Sequence, residues 1–281
     1  MALKEYVFEK QLGAGSFGTA HLVRRKSDSS PFVIKKQCLE DYKVVTNEVN
    51  LLKKMRHPNI VMYHDSWKEG QQLFILMEYA SRGTLKQYLS RRRVPLQEED
   101  ALYLFAQMVL GVHHIHKKMV LHRDLKPGNI MLSGPRGDVV KIGDFGVSKN
   151  IAREMGVTRV GTKCYMAPEV LKGTVYDYKC DIWSLGVILY EMLTKRFPFN
   201  VRSQVDLIRQ ICQGVLSPLQ RGDASSAVRN LTYKMLDTKP EGRPKSRDLV
   251  LCPTIIPHIG RVYKNLDNVD RAMIIDQKVS S

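Results

Sequence analysis

Apolar and polar residues alternate in the first part of the chain in a way that predicts β-strands. Residues 6–12 alternate well enough for one strand, and short apolar runs follow at 20–23 and 32–35. A turn-forming cluster at 27–31 separates these two runs, which is typical of a hairpin. Another apolar run, residues 73–79, predicts a further strand. We therefore expect a small antiparallel sheet near the N-terminus.

The pattern becomes helical in two other stretches. Residues 41–55 repeat apolar positions every three or four residues and stop before a His-Pro pair. Residues 98–116 have the same period and end in three closely spaced histidines. These histidines lack the H-E-x-x-H spacing of a zinc site, so we assign them polar or capping roles. A sheet followed by mainly helical sequence predicts the α+β class.

Length and composition narrow the picture. The 281 residues, 43% of them apolar, are enough for one large domain or two lobes that share an interface. Five cysteines, an odd number with no C-x-x-C pair, argue against a disulfide framework and against a zinc module. No stretch approaches the roughly 20 apolar residues of a membrane span, and residues 1–5 do not resemble a signal peptide. We expect a cytoplasmic protein without membrane insertion.

The chain is basic, with a formal net charge of +16. Its longest basic run, residues 91–93, is short and has no interleaved aromatic residues, so we interpret it as a solvated turn and expect no nucleic-acid partner. Acidic protein surfaces remain candidate partners, and a basic chain also suits a protein that handles phosphates.

A glycine-rich segment follows the first predicted strand. Residues 13–18 read Gly-Ala-Gly-Ser-Phe-Gly, a pattern that two enzyme classes share. A dinucleotide-binding fold would need a helix next and an acidic residue about 20 positions later. Here a strand, a turn and a strand follow instead, which disfavours an oxidoreductase. A glycine-rich turn between antiparallel strands is the phosphate cover of protein kinases.

Two charged residues accompany this hairpin. Lys35 ends the apolar run 32–35, and Glu48 lies beside the apolar stripe of the helix predicted at 41–55. A carboxylate near a buried face needs a partner, because an unpaired buried charge is costly. We therefore expect Glu48 to pair with Lys35.

Three motifs follow in order. Residues 122–129 read His-Arg-Asp-Leu-Lys-Pro-Gly-Asn, residues 144–146 read Asp-Phe-Gly, and residues 167–169 read Ala-Pro-Glu. With the glycine-rich hairpin and the strand lysine they make a specific signal, and the chain resembles the eukaryotic protein kinases from residue 6 to 257. This resemblance implies a two-lobed fold with an N-lobe at 6–79, a C-lobe at 80–257 and a short extension at 258–281.

The resemblance implies a role for each polar motif residue. Asp124 would accept or orient the proton of the substrate hydroxyl, and Lys126 would neutralise the γ-phosphate during transfer. Asn129 and Asp144 would bind Mg²⁺ through hard oxygen atoms, with Mn²⁺ as the alternative ion. Lys35 would hold the α- and β-phosphates of ATP.

Lys126 and the segment 161–165, Gly-Thr-Lys-Cys-Tyr, are similar to the Ser/Thr branch of the family. Thr162 would then contact Asp124 and Lys126 and shape the acceptor site. Arg123 would pair with a phosphate group on the activation segment, and Thr158 is well placed to carry that phosphate.

The adenine pocket follows from the same resemblance. Ala20 and Val33 would cover the base, Met77 would guard the back of the pocket, and Met131 would form its floor. The backbone of the residues after Met77 would bond the adenine edge. The predicted nucleotide-binding residues are Leu12, Gly13, Ala14, Gly15, Ser16, Phe17, Gly18, Ala20, Val33, Lys35, Met77, Glu78, Ala80 and Met131.

Within the family the chain is most similar to the NIMA-related kinases, on residues 15–20, 33–35, 176–183, 211–214 and 240–244. This implies a monomeric catalytic domain that transfers the γ-phosphate of ATP to Ser or Thr of protein substrates and phosphorylates its own activation segment. It also implies a link to the cytoskeleton, the centrosome or the cilium. The alternative is a pseudokinase that acts as a nucleotide-dependent scaffold, which the intact polar set disfavours.

Overall fold

The computed structural model describes residues 3–15, 18–38, 49–50, 52–144, 163–199 and 203–266. Within them the strands are β1 (Tyr6–Gly15), β2 (Gly18–Arg25), β3 (Pro31–Cys38), β4 (Tyr63–Glu69), β5 (Gln72–Glu78), β6 (Ile130–Ser133) and β7 (Val139–Ile142). The helices are α1 (Leu85–Arg91), α2 (Glu98–Lys117), α3 (Pro168–Leu171), α4 (Lys179–Thr194), α5 (Gln204–Gln213), α6 (Ser226–Met235), α7 (Ser246–Val250) and α8 (Ile256–Leu266). Short 3₁₀ segments lie at Leu3–Glu5, Pro127–Asn129 and Pro240–Gly242.

The N-terminal lobe is an antiparallel sheet in the order β1-β2-β3-β5-β4. The predicted hairpin is confirmed, because β2 pairs with β3 across the turn at 27–31. The first strand is longer than predicted, since β1 continues past residue 12 and Gly15 pairs with Gly18. Glycine has a low strand propensity, so the sequence pattern hid this extension. Two register shifts, at Phe8/Lys10 and Gln11/Gly13, interrupt the β1–β2 pairing.

The two faces of this sheet bury their apolar side chains separately. Leu73 and Ile75 of β5 join the large core that continues into the helices, whereas Phe74 and Leu76 point to the other face, as the two-residue period of a strand requires. The second face carries a small core of its own, made of Tyr6, Val23, Phe32, Ile34, Phe74 and Leu76.

The C-terminal lobe is built around α2 and α4. Both helices are buried along most of their length and pack against each other. The predicted helix 98–116 is confirmed as α2. Of the helix predicted at 41–55, residues 49–50 and 52–54 are described, and they are helical. The α+β class is thus confirmed, with the five-stranded sheet in the N-terminal lobe and the helices α1 to α8 in the C-terminal lobe. None of the helices formed by the described residues is long and apolar enough to cross a membrane.

Candidate active site

A cleft of about 720 Å³ opens beneath the glycine-rich hairpin and reaches β5, β6 and the end of β7. The structure brings most of the predicted nucleotide-binding residues to its wall. Those that line it are Leu12, Gly13, Ala14, Gly18, Ala20, Val33, Lys35, Met77, Glu78, Ala80 and Met131. The predicted metal-binding residues Asn129 and Asp144 line the same cleft. Residues from both lobes therefore converge on one space.

Gly18 allows the hairpin to close over this cleft. Its φ is +127°, a conformation that side chains with a Cβ rarely adopt. A Cβ built at Gly18 would also collide with the carbonyl oxygen of Lys36 on β3. Both observations require glycine at this position. Glycine at position 18 therefore lets β2 lie close to the backbone of β3.

The strand lysine contacts an acidic motif residue across the cleft. Lys35 Nζ lies 2.9 Å from Asp144 Oδ1, although 109 residues separate the two in the chain. The Lys35 side chain is 19% exposed and that of Asp144 is 43% exposed. The expected partner, Glu48, lies outside the described residues, so its pairing with Lys35 stays a prediction.

The 122–129 motif forms a compact polar cluster at the floor of the cleft. Lys126 Nζ lies 2.9 Å and 2.8 Å from the two carboxylate oxygens of Asp124. Asn129 Nδ2 donates to Asp124 Oδ2 and to the Asp124 carbonyl, each at 2.8 Å. The Asp124 side chain is only 6% exposed, so these contacts hold it in a single orientation.

A buried carboxylate holds the backbone of this loop. Asp181 of α4 accepts hydrogen bonds from the backbone N–H groups of His122 and Arg123 and from His116 Nε2, each at 2.9 Å. Burial acts to raise the pKa of Asp181, but the hydrogen bond and charge of His116 and the contacts of His122 hold that pKa below its usual value. The carboxylate is therefore ionised, and it fixes the residues that precede Asp124.

His122 connects the loop to the end of β7. Burial lowers the pKa of His122 below its usual range, despite the nearby carboxylates of Asp181 and Asp124. The neutral ring donates from Nε2 to the Gly143 carbonyl at 3.1 Å and accepts the Asp124 N–H at Nδ1 at 3.3 Å. One imidazole thus sets the distance between Asp124 and the residue before Asp144.

Gly143 allows close packing at this point. A Cβ on Gly143 would approach Met131 Cε to 2.8 Å and Val61 Cγ2 to 3.1 Å. The Gly143 N–H donates to the Asn129 carbonyl at 3.0 Å. This hydrogen bond brings the backbone that leads into Asp144 next to the backbone of Asn129. Asp144 itself has a φ of +54°, an uncommon value for a residue with a side chain. The two predicted metal ligands are therefore held side by side.

The donor set of these two residues suits a hard cation. Both amide hydrogen-bond donations of Asn129 go to Asp124, so only its Oδ1 remains to face a cation. Asp144 supplies carboxylate oxygen atoms. Mg²⁺ in phosphate-transferring sites usually takes one or two such protein ligands together with phosphate and water oxygens. The residues present therefore fit Mg²⁺.

Two further contacts brace the lobe below the cleft. Arg243, whose side chain is 0% exposed, donates to both carboxylate oxygens of Glu169, at 2.7 Å and 2.8 Å. Tyr165 Oη donates to Glu191 at 2.6 Å, and burial raises the pKa of both groups. The Arg243–Glu169 pair ties the end of the segment that contains Thr162 to the C-terminal lobe.

Several predicted residues cannot be placed. Ser16, Phe17, Glu48, Thr158 and Thr162 lie outside the described residues, and their roles stay predictions. Gly15 belongs to β1, and its role in nucleotide binding also stays a prediction.

The sequence interpretation missed other residues of the cleft wall. These are chiefly Lys10, Thr19, Leu52 and Val61. Val61 reaches the wall because its N–H bonds the Ile142 carbonyl. That pairing joins residues 81 positions apart, and no local pattern indicates it.

Comparison with known proteins identifies the family. The family model described as "Protein kinase domain" matches residues 6–254, which is most of the chain. The chain belongs to the protein kinase family. Its kinase domain is also 32% identical over 285 residues to the serine/threonine-protein kinase nekl-2 of Caenorhabditis elegans, covering 95% of this chain and 79% of that protein.

Other relatives of the kinase domain are longer proteins. It is 36% identical over 274 residues to Nek8 of Danio rerio and 38% identical over 259 residues to human Nek5, both serine/threonine-protein kinases. These alignments cover 95% and 89% of this chain but only 39% and 36% of the relatives. The resemblance to NIMA-related Ser/Thr kinases is thereby confirmed.

A solved structure is similar to this kinase domain over most of its length. The crystal structure of Rad53 1-466 in complex with AMP-PNP superimposes with a TM-score of 0.79 at 28% identity. The superposition covers 90% of this chain and 66% of that one. The two-lobed fold is thereby confirmed.

Proposed function

We propose that this protein transfers the γ-phosphate of ATP to Ser or Thr hydroxyls of protein substrates. The observation that carries the proposal is that Lys35, Asn129 and Asp144 line one cleft beneath a glycine-rich hairpin. Asp124 lies next to them, because it accepts a hydrogen bond from Asn129. Phosphoryl transfer needs positioning and charge neutralisation more than covalent chemistry, and this set of side chains supplies both. Membership of the protein kinase family and the Nek relatives support it.

The acceptor side of the reaction depends on the Asp124 cluster. Asp124 accepts or orients the substrate hydroxyl proton, and its low exposure and two fixed partners keep its carboxylate in position. Lys126, already against Asp124, neutralises the charge that develops on the transferred phosphoryl group. Thr162 completes the acceptor site in this proposal.

The nucleotide side depends on the two lobes together. Lys35 binds the α- and β-phosphates, Asn129 and Asp144 hold Mg²⁺, and Glu48 orients Lys35. When bound, Mg²⁺ neutralises phosphate charge. Ala20 lines the cleft, and in this proposal the apolar wall near it covers the adenine ring. The AMP-PNP complex of Rad53 supports nucleotide binding in a cleft of this kind.

The test compares the full chain with its Asp124→Asn variant. We expect the wild type to transfer labelled phosphate from Mg-ATP to a Ser/Thr peptide array and Asp124→Asn to lose at least about a hundredfold in kcat. The exposed Asp206→Asn on α5 is the matched control and should keep full activity. Full activity in Asp124→Asn would contradict the assigned role. Nucleotide binding by the wild type without any transfer would favour the pseudokinase alternative.

Regulation by phosphorylation forms part of the proposal. Arg123 is exposed, with its Cζ atom 5.9 Å from the centroid of the Tyr176 ring, and it directly precedes Asp124. A phosphate on Thr158, added by the enzyme itself, would pair with Arg123 and order the activation segment. We expect Thr158→Ala to remove the rise in rate that pre-incubation with Mg-ATP produces, and an unchanged rise would contradict this role. The expected sites of action are the cytoplasm and, by the NIMA-related resemblance, the centrosome or the cilium.

A further inference from the structure

The basic run at residues 91–93 lies in a different setting from the isolated turn that its sequence indicates. Lys195 Nζ, at the end of α4, donates to the Arg92 carbonyl. The Leu96 N–H donates to the Met192 carbonyl at 3.0 Å. The loop between α1 and α2 is therefore fixed against the C-terminal end of α4, where Lys195 adopts a left-handed φ of +55°.

A third segment, residues 221–225, completes a concave surface here. A cavity of about 340 Å³ lies between the α1–α2 loop, Leu193 of α4 and this segment. Arg221 lines this cavity, and four more cations adjoin it in the chain or by contact: Arg92 and Arg93 precede the lining residue Val94, Lys195 donates to the Arg92 carbonyl, and Arg196 pairs with Asp223 of the wall. We call Arg92, Arg93, Lys195, Arg196 and Arg221 the basic rim. Chain segments far apart in the sequence thus concentrate positive charge around one depression.

The basic rim has few internal partners. Two carboxylates lie beside it, and both have partners. Glu98 Oε2 accepts the Ser225 N–H at 2.5 Å, and Asp223 Oδ2 lies 3.5 Å from Arg196 Nη2. Five cations against two carboxylates leave positive charge in excess. Arg93 and Arg221 are exposed and make no hydrogen bond or ion pair within the described part of the chain.

We propose that the basic rim is a docking surface for an acidic, extended peptide segment of a partner protein. Carboxylates of the segment pair with Arg93 and Arg221, and one apolar side chain enters the cavity. The cavity wall supports an apolar anchor, because Val94, Leu96 and Leu193 contribute to it and Val94 is 59% exposed. Bidentate pairing with carboxylates is a strength of arginine.

The basic rim suits an acidic peptide better than it suits nucleic acid or an anionic membrane. Single-stranded nucleic acid binds through aromatic stacking, and no aromatic residue is among the described residues that line the cavity. An anionic membrane attracts clusters of basic residues next to a membrane-spanning helix or along an amphipathic helix, whereas these cations come from three separate chain segments. RNA and vesicles are therefore outcomes of the test and not part of the proposal.

Direct binding tests the inference without reference to phosphotransfer. The probe is a fluorescein-labelled synthetic peptide with one Leu flanked by Asp and Glu residues, followed by anisotropy with the full chain. We expect Arg93→Glu/Arg221→Glu to weaken binding by about tenfold and to reduce its salt dependence. The same peptide with Asn and Gln in place of the acids should bind at least about tenfold more weakly to the wild type.

A matched control separates the site from general attraction. Lys26→Glu/Arg247→Glu makes the same change in net charge at exposed positions in the β2–β3 turn and on α7, and should weaken binding less than about twofold. Arg93→Gln/Arg221→Gln, which adds no repulsion, should give an intermediate loss. Unfolding midpoints and activity on a short neutral peptide should stay as in the wild type for all three variants.

Three results would overturn the inference. One is equal loss in the control and the rim variants, and another is unchanged binding in Arg93→Glu/Arg221→Glu. The third is tighter binding of a single-stranded RNA or of phosphatidylserine vesicles than of the acidic peptide, with the same sensitivity to the rim variants. Each of these leaves the proposed phosphotransfer untouched, because that activity is measured separately.

Discussion

Replacing Asp181 by Asn tests how the catalytic loop is held. The change keeps the size of the side chain but exchanges one acceptor oxygen for an amide that donates. In the structure Oδ2 accepts from His116 and from the His122 N–H, and Oδ1 accepts from the Arg123 N–H. In its better orientation the Asn oxygen replaces Oδ2, and the new amide then faces the Arg123 N–H.

The cost follows from this geometry. One hydrogen bond to a charged acceptor is lost, at about 1.5–3 kcal/mol, and a buried N–H is left facing another donor, at about 1–3 kcal/mol. Movement of the loop relieves part of these two costs, so we expect the free energy of unfolding to fall by about 2–4 kcal/mol. The unfolding midpoint should then drop by about 3–7 °C. Because Arg123 precedes Asp124, kcat should fall at least about tenfold while KM for ATP changes less.

The assay combines urea unfolding with steady-state phosphotransfer. Asp177→Asn is the control, since Asp177 is exposed and its bond to the Lys179 N–H at 2.9 Å can be made equally by an Asn oxygen. We expect Asp177→Asn to match the wild type in both measurements. A stability of Asp181→Asn within about 0.5 kcal/mol of wild type, with unchanged kcat, would refute the reasoning.

Three other outcomes are expected. Glu169→Ala leaves Arg243 as an unpaired buried charge and should cost about 3–5 kcal/mol in urea unfolding, whereas replacing both residues by Leu should cost less; equal losses would contradict the pairing argument. Burial, with the charges of neighbouring groups, lowers the pKa of His57 to about 3. Below about pH 6.5 His57 is therefore protonated in the unfolded chain but stays neutral in the folded chain until the pH approaches 3. As the pH is lowered from about 6 to 4, the free energy of unfolding of the wild type should therefore fall by about 1 kcal/mol per pH unit more than that of His57→Gln. Parallel curves for the two proteins would contradict this. Gly186→Ala puts a Cβ 2.9 Å from Met235 Cβ and should cost about 1–3 kcal/mol, measured by the same unfolding; no loss would show that α4 and α6 can separate without strain.

Much of the site could be predicted because its chemistry is concentrated in short motifs. Asp124, Lys126 and Asn129 lie within six residues, so their proximity is local, and the spacing to Asp144 spans only the β6–β7 hairpin. The strand alternation around Lys35 likewise placed it on the sheet. These features depend on nearby residues, which is where sequence patterns carry information.

The features that escaped prediction are pairings across the fold. His116 was assigned only a general polar role, because its partner Asp181 lies 65 residues away. The direct contact of Lys35 with Asp144 spans 109 residues and was not predicted either. The basic run at 91–93 is predicted to be a solvated turn, and Arg91 and Arg93 are exposed, but the contact of Lys195 with the Arg92 carbonyl spans 103 residues and no local pattern indicates it.

The position of β1 at the rim of its sheet has a consequence for the behaviour of the protein at high concentration. Among the strands that the structure describes, β1 pairs only with β2, and an edge strand can template the addition of a strand from another molecule. Val7, Phe8 and Leu12 of β1 are 50%, 46% and 43% exposed. The two register shifts interrupt its straight hydrogen-bonding edge. We therefore expect these irregularities to reduce the tendency of β1 to add a strand from another molecule.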